Sequence, residues 1–162
     1  MYKFDKELAS FDSIDQLNAG FHLWIWNPNI KSPHLGISLD GKYYSLQYQG
    51  KQENLNVDIL FNVAKRKKNS ALVIELATNL NKSRINEVFS IYTSCEIDQC
   101  SCSKPLFDVF DIQKPDGILF DILESQNDSV ISLKGMQLAP DFKGIPMYTY
   151  TDVLMNLNAL PS

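Results

Sequence analysis

Nothing in this chain of 162 residues stays hydrophobic for long. No apolar run approaches the roughly 20 residues that span a bilayer, so a transmembrane segment is not expected. The first residues, Met1-Tyr2-Lys3-Phe4-Asp5-Lys6-Glu7, have neither the apolar core nor the small-residue cleavage site of a signal peptide. As written, the chain is expected in the cytoplasm, or in the periplasm if a leader has been removed. Cysteine is scarce and odd in number, three in all, which argues against a disulfide framework. Positive charge is not in excess either. A net charge of −4 and a pI near 5.1 argue against nucleic acid as the main partner, which would call for a basic stripe. Internal repeats, low-complexity tracts and Pro/Gly/Ser linkers are missing, as are a glycine-rich phosphate loop, a paired-carboxylate motif and a zinc-peptidase helix. The chain is therefore expected to form one domain over 1–162, long enough to bury a core without staples.

What is present begins with Pro33-His34-Leu35-Gly36-Ile37-Ser38-Leu39-Asp40-Gly41-Lys42-Tyr43-Tyr44-Ser45-Leu46. Two alternating runs flank Asp-Gly, the strongest short-range signal for a two-residue hairpin turn. With that turn Leu39 faces Lys42, Gly36 faces Ser45 and His34 faces Gln47. Side chains alternate along a strand, so His34, Gly36, Ser38, Tyr43, Ser45 and Gln47 share one side. Gly36 is expected to clear space beside the imidazole, and a histidine held among polar neighbours suits a catalytic base.

Around the hairpin the chain reads as strands followed by helices. Residues 1–20 suggest one or two short helices, with Ser13 capping Ile14 to Leu17. Phe21 to Trp26 reads as a strand carrying Trp24, Trp26 and His22 on one face. Val57, Ile59, Phe61 and Val63 alternate, so Val57 to Ala64 is expected as a half-buried strand, and Ala71 to Ala77 as a central one. Lys65-Arg66-Lys67-Lys68 then reads as a solvated turn between those two strands. Residues 21–77 thus form the β-rich part. Across 82–112, Ile85, Val88, Phe89 and Tyr92 lie at helical spacing after Asn81 or Ser83, and Leu106 to Phe110 repeat the pattern behind Pro105. Residues 113–162 form a C-terminal extension. Its expected elements are a turn or two of helix over Ile118 to Leu123, a strand over Val130 to Leu133, and a helix over Asp152 to Leu160 capped by Thr151. The fold class is α+β, a mostly antiparallel sheet packed against helices.

Cys95, Cys100 and Cys102 stand close together, and three readings compete for them. A metal site would need a fourth ligand, His22 or His34, at a spacing unusual for structural zinc. Small buried thiols would need no partner at all. Cys102, in Ser101-Cys102-Ser103-Lys104-Pro105-Leu106-Phe107, could instead be a nucleophile at a helix start, where the dipole and backbone N–H groups stabilise a thiolate and an oxyanion.

The motif PHLGISLDGKYYSL resembles the His-centred strand of papain-like NlpC-type cysteine peptidases and amidases, and SCSKPLFDVF resembles their Cys-Ser helix. His34 precedes Cys102, the order of the circularly permuted branch that includes the lecithin:retinol acyltransferase-like proteins. The resemblance spans roughly residues 17–112. It implies a permuted papain-like fold and a cysteine hydrolase acting on an amide or ester of a small peptide or lipid-like substrate. It implies Cys102 as nucleophile and His34 as base, with no cofactor and no metal. The family's third polar residue falls on Ser45, and Gln47 is the stronger candidate to orient the imidazole. Ser101 and Tyr43 are candidates for the oxyanion and substrate side. Cys95, in Ser94-Cys95-Glu96, and Cys100 are the alternative nucleophiles. The alternatives for the whole chain are a degenerate binding domain of the same fold and a small zinc protein using the cysteine cluster.

Overall fold

The computed structural model describes residues 1–11, 13–95 and 101–158. Among these, seven strands form one mixed sheet with α-helices on both faces, an α+β architecture. The strands are β1 (Leu8–Ser10), β2 (Phe21–Trp26), β3 (His34–Leu39), β4 (Lys42–Gln47), β5 (Gly50–Asn56), β6 (Ala71–Leu76) and β7 (Val130–Met136). Their order across the sheet is β1-β7-β6-β2-β3-β4-β5. Every neighbouring pair is antiparallel except β1 with β7. The helices are α1 (Val57–Lys67), α2 (Lys82–Ser90), α3 (Lys104–Val109), α4 (Leu119–Ser125) and α5 (Tyr150–Asn158). Among the described residues no helix is long and apolar enough to cross a membrane.

The Asp40-Gly41 turn forms as the sequence implies. Both residues have positive φ, 47° and 81°, the backbone that matches the twist of a two-residue hairpin. The Asp40 carboxylate accepts from the Gly20 N–H at 2.9 Å, pinning the turn to the start of β2. Strand β2 is buried along its whole length because it pairs on both sides, with β3 and with β6. Alternation sends its side chains into two cores. Leu23 and Ile25 join Leu35, Ile37, Leu46, Leu72 and Ile74 beneath α2 to α5. Trp24 and Trp26 join Tyr43, Val73 and Met136 beneath α1.

Four expectations are corrected. Val57 to Ala64 is not a strand but most of α1. Val57 and Ala64 are buried, Leu60 and Phe61 pack beside them, and Ile59 is half exposed, a stripe of helical and not strand period. Lys65, Arg66 and Lys67 are accordingly the last helical turn, where cations complement the dipole, and Lys68 ends it in the left-handed region at φ 57°. Residues 50–56 take the strand place instead, as β5. Near the N-terminus, Ser13 does cap a 3-10 turn over Ile14–Leu17, but Leu8–Ser10 is a strand, formed only because β7 offers it an edge. Thr149, not Thr151, caps α5. Its N–H donates to Asp152 Oδ2 at 2.8 Å, and the Asp152 N–H returns to Thr149 Oγ1 at 3.4 Å, a reciprocal box that holds the Asp152 carboxyl below its ordinary pKa.

Candidate functional site

The candidate residues gather at one end of the sheet, where β2 and β4 finish and β3 begins. Here the hairpin does not stay closed. Its ladder runs Leu39–Lys42, Ser38–Tyr43 and Ile37–Tyr44 and stops, so the expected pairs Gly36–Ser45 and His34–Gln47 are not in it. Two features open the strands. The pairing of β4 with β5 shifts between Tyr43 and Ser45, and the ring of Tyr43 lies over Gly36, where a Cβ would come within 2.2 Å of its hydroxyl oxygen. The space that Gly36 clears is therefore taken by Tyr43 and not by the imidazole.

His34 opens β3 opposite Trp26. Burial holds its pKa down to about 4, because a desolvated imidazolium is disfavoured. The buried Nε2 has no hydrogen-bond partner. Neither candidate orienting residue fills that place. Gln47 Nε2 donates to Gln52 Oε1 at 3.0 Å, and Ser45 Oγ donates to the same oxygen at 3.2 Å. Gln52, on β5, is the residue the sequence reading missed. Its one available signal was Gly50, which opens β5 with a φ of 139° after a short turn. Tyr43 is fully buried, and its hydroxyl accepts from Trp26 Nε1 at 2.8 Å. Desolvation raises its pKa.

Cys102 lies two residues before the first residue of α3 and is partly exposed. Burial of the sulfur pushes the thiol pKa up, and the backbone amides of Leu35 and of Cys102 itself pull it part of the way back. Desolvation thus outweighs the helix start, opposite to the depressed pKa expected for that position. The contact with the Leu35 amide sets the sulfur against the residue that follows His34. Tyr43 and Tyr148 are both within electrostatic reach of it. Ser101 Oγ lies 2.7 Å from Ser103 Oγ.

The structure brings Cys102, Ser101, His34, Gln47 and Cys95 to the wall of one cavity of about 590 Å³, together with Leu46, Val153 and Leu157. That volume lies within the range of ligand sites. Cys95 is nearly enclosed, its amide bonded to the Gln47 carbonyl at 2.8 Å and its thiol donating to the Leu46 carbonyl at 3.4 Å. Ser45 and Tyr43 do not line this cavity. Cys100 lies outside the described residues, so the full cysteine cluster is not described; among the described residues no three His, Cys, Asp or Glu side chains converge as a metal would need. His22 stands elsewhere on the sheet, buried between Ser38 and Glu75 in register. Compared with protein-family models, with curated proteins and with solved structures, the chain has no match.

Proposed function

We propose that this chain is a cysteine hydrolase of amide or ester bonds, built as a permuted papain-like domain, with Cys102 as nucleophile and His34 as general base. The observation that carries the reading is the shared cavity wall: both Cys102 and His34 belong to it, the Cys102 sulfur meets the amide of Leu35, the next residue after His34, and the buried His34 Nε2 is unengaged. An unengaged imidazole nitrogen has no structural bond to give up before it takes a proton.

The electrostatics favour a neutral resting pair. With the thiol raised and the imidazole lowered, both groups are uncharged near pH 7. The thiol proton passes to His34 Nε2 as sulfur bonds to the substrate carbonyl carbon. The backbone N–H of Cys102, with Ser101 beside it, receives the developing oxyanion. His34 returns the proton to the departing nitrogen or oxygen as that bond breaks. Water then cleaves the thioester, releasing the acid and restoring the thiol. Gln47 and Ser45 are positioning residues here, acting through Gln52 to fix the end of β4 that faces His34.

The test is mass spectrometry of the intact protein after exposure to a p-nitrophenyl acyl ester. An acyl adduct on Cys102 is expected, slowed at least about 100-fold by His34→Ala and unchanged by Cys95→Ser. No adduct, or one indifferent to His34→Ala, would sink the reading. A second reading, a papain-like domain that binds such substrates without turning them over, is favoured by the raised thiol and by the engagement of Gln47 and Ser45 with Gln52. It predicts ligand binding with no adduct.

A further inference from the structure

A second cavity, of about 290 Å³, lies on the other face of the sheet under α1, and it shares Asn27, His34 and Gln47 with the first. The two differ in chemistry. The first holds Cys102 and is walled by Ile30, Leu46, Val153 and Leu157, with no Asp, Glu, Lys or Arg among its described lining. The second has no cysteine among its described lining. Gln52, Asn69 and the indole of Trp26 line it, and Lys67 is the one charged residue among its described lining. Lys67 belongs to the exposed basic turn with Lys65, Arg66 and Lys68, a cluster to which the proposed chemistry gives no task.

Acyl transfer assigns these cavities to different ends of a substrate. The nucleophile must touch the acyl carbon, so the acyl group belongs where Cys102 is. The general acid must touch the leaving atom, so the leaving group belongs where His34 is reached without Cys102. We propose that the substrate is an N-acyl amino acid, with an aliphatic acyl chain in the larger cavity and the amino acid in the smaller, its carboxylate toward Lys67. The smaller cavity, of about 290 Å³, has room for a small amino acid, and its polar lining suits that end of the substrate better than the aliphatic chain. Hydrolysis breaks the C–N bond. The nitrogen leaves with the proton from His34, and water supplies the oxygen of the fatty acid. This inference rests on the hydrolase reading for its direction of transfer.

Calorimetric titration of the full chain carrying Cys102→Ala, or Cys102→Ser should the alanine variant not fold, tests the assignment. The probes are N-decanoylglycine, N-methyldecanamide, which lacks the carboxylate, and N-acetylglycine, which lacks the chain. N-decanoylglycine is expected to bind at least about tenfold more tightly than either truncated probe. Adding the exposed substitution Lys67→Ala is expected to erase its advantage over N-methyldecanamide and to leave the latter's affinity unchanged. Equal affinity for all three probes, no binding of any, or a preference that survives Lys67→Ala would overturn the proposal. If N-decanoylglycine binds as expected but wild-type protein neither cleaves it nor forms an adduct, the hydrolase reading fails and the two-cavity assignment stands. If the adduct forms with the nitrophenyl ester but these binding preferences are missing, the assignment fails alone.

Discussion

The Tyr43 hydroxyl sits over Gly36, held there by the indole N–H of Trp26 at 2.8 Å. This contact keeps the end of β3 from closing onto β4 and leaves His34 and Gln47 at the mouth of a gap. Gly36→Ala would place a methyl group 2.2 Å from that oxygen, and Tyr43 is buried and bonded to Trp26, so the ring can withdraw toward the neighbouring cavity only by giving up that hydrogen bond. A loss of about 1–3 kcal/mol is expected, as for overpacked cores. Urea unfolding measures it, and a change under about 0.5 kcal/mol, the scale of ordinary surface substitutions, would show that the ring moves freely.

His34 gives the fold a pH dependence of definite sign. Its folded pKa is about 4 against an ordinary 6.5, so between those values the unfolded chain binds more protons than the folded one. Stability therefore falls as pH drops from 6.5 towards 4 and loses nothing further from this group below that. The full shift corresponds to at most about 3 kcal/mol. His22, also lowered by burial, adds a contribution of the same sign. Urea midpoints of wild type and His34→Asn across pH 4 to 7 isolate the first. The variant should lose less stability than wild type on acidification, and parallel curves would refute the assignment to His34.

Local chemistry was enough to place what local chemistry determines. Asp40-Gly41 specifies its turn by backbone twist, Asn81 caps α2 by accepting from the Arg84 N–H at 2.9 Å, and Pro105 stands in the first turn of α3. The α+β class and the positions of Phe21–Trp26 and Ala71–Leu76 follow from such signals. The misreadings have other causes. Val57 to Val63 satisfies a period of two only if Leu60 is ignored, and the cations at its end were the stronger clue to a helix. Leu8–Ser10 has no pattern of its own and exists by pairing with residues 133–135. At the site, His34, Gln47, Ser101 and Cys102 were legible as residue types and do share a cavity. That Gln52 would claim both Gln47 and Ser45 was not legible, because it depends on how β5 pairs with β4. Nor was the sign of the Cys102 shift, since a helix start lowers a thiol pKa only when burial does not exceed it.

If the hydrolase reading holds, its rate should follow the neutral base. Activity requires His34 unprotonated, so kcat/KM is expected to rise through pH 4 and level off well below 7. The ascending limb should follow His34 alone, with no thiolate–imidazolium pair to generate it, because burial keeps the Cys102 thiol protonated through that range. A pH–rate profile for a p-nitrophenyl ester shows this directly. An ascending limb centred between 6 and 7 would mean that His34 titrates in solvent-like surroundings, contrary to its burial.

The cap of α5 links stability to the cavity. Thr149 and Asp152 satisfy each other's backbone N–H groups, and the helix they begin carries Val153 and Leu157 into the cavity wall. A second tie comes from Asn156, whose side-chain amide donates to the Lys31 carbonyl at 3.3 Å. Loss of a threonine cap costs about 0.5–2 kcal/mol, and the same turn is also held by Val153 in the core and by the Lys31–Asp152 ion pair at 4.0 Å. Thr149→Ala should therefore lower the unfolding free energy by that amount and also speed amide hydrogen exchange across Tyr150–Asn158. Asp152→Asn removes the charge but keeps an acceptor for the Thr149 N–H, so it should cost less. If Thr149→Ala leaves exchange in α5 unchanged, the helix is held by its apolar face alone and the box contributes nothing to the cavity wall.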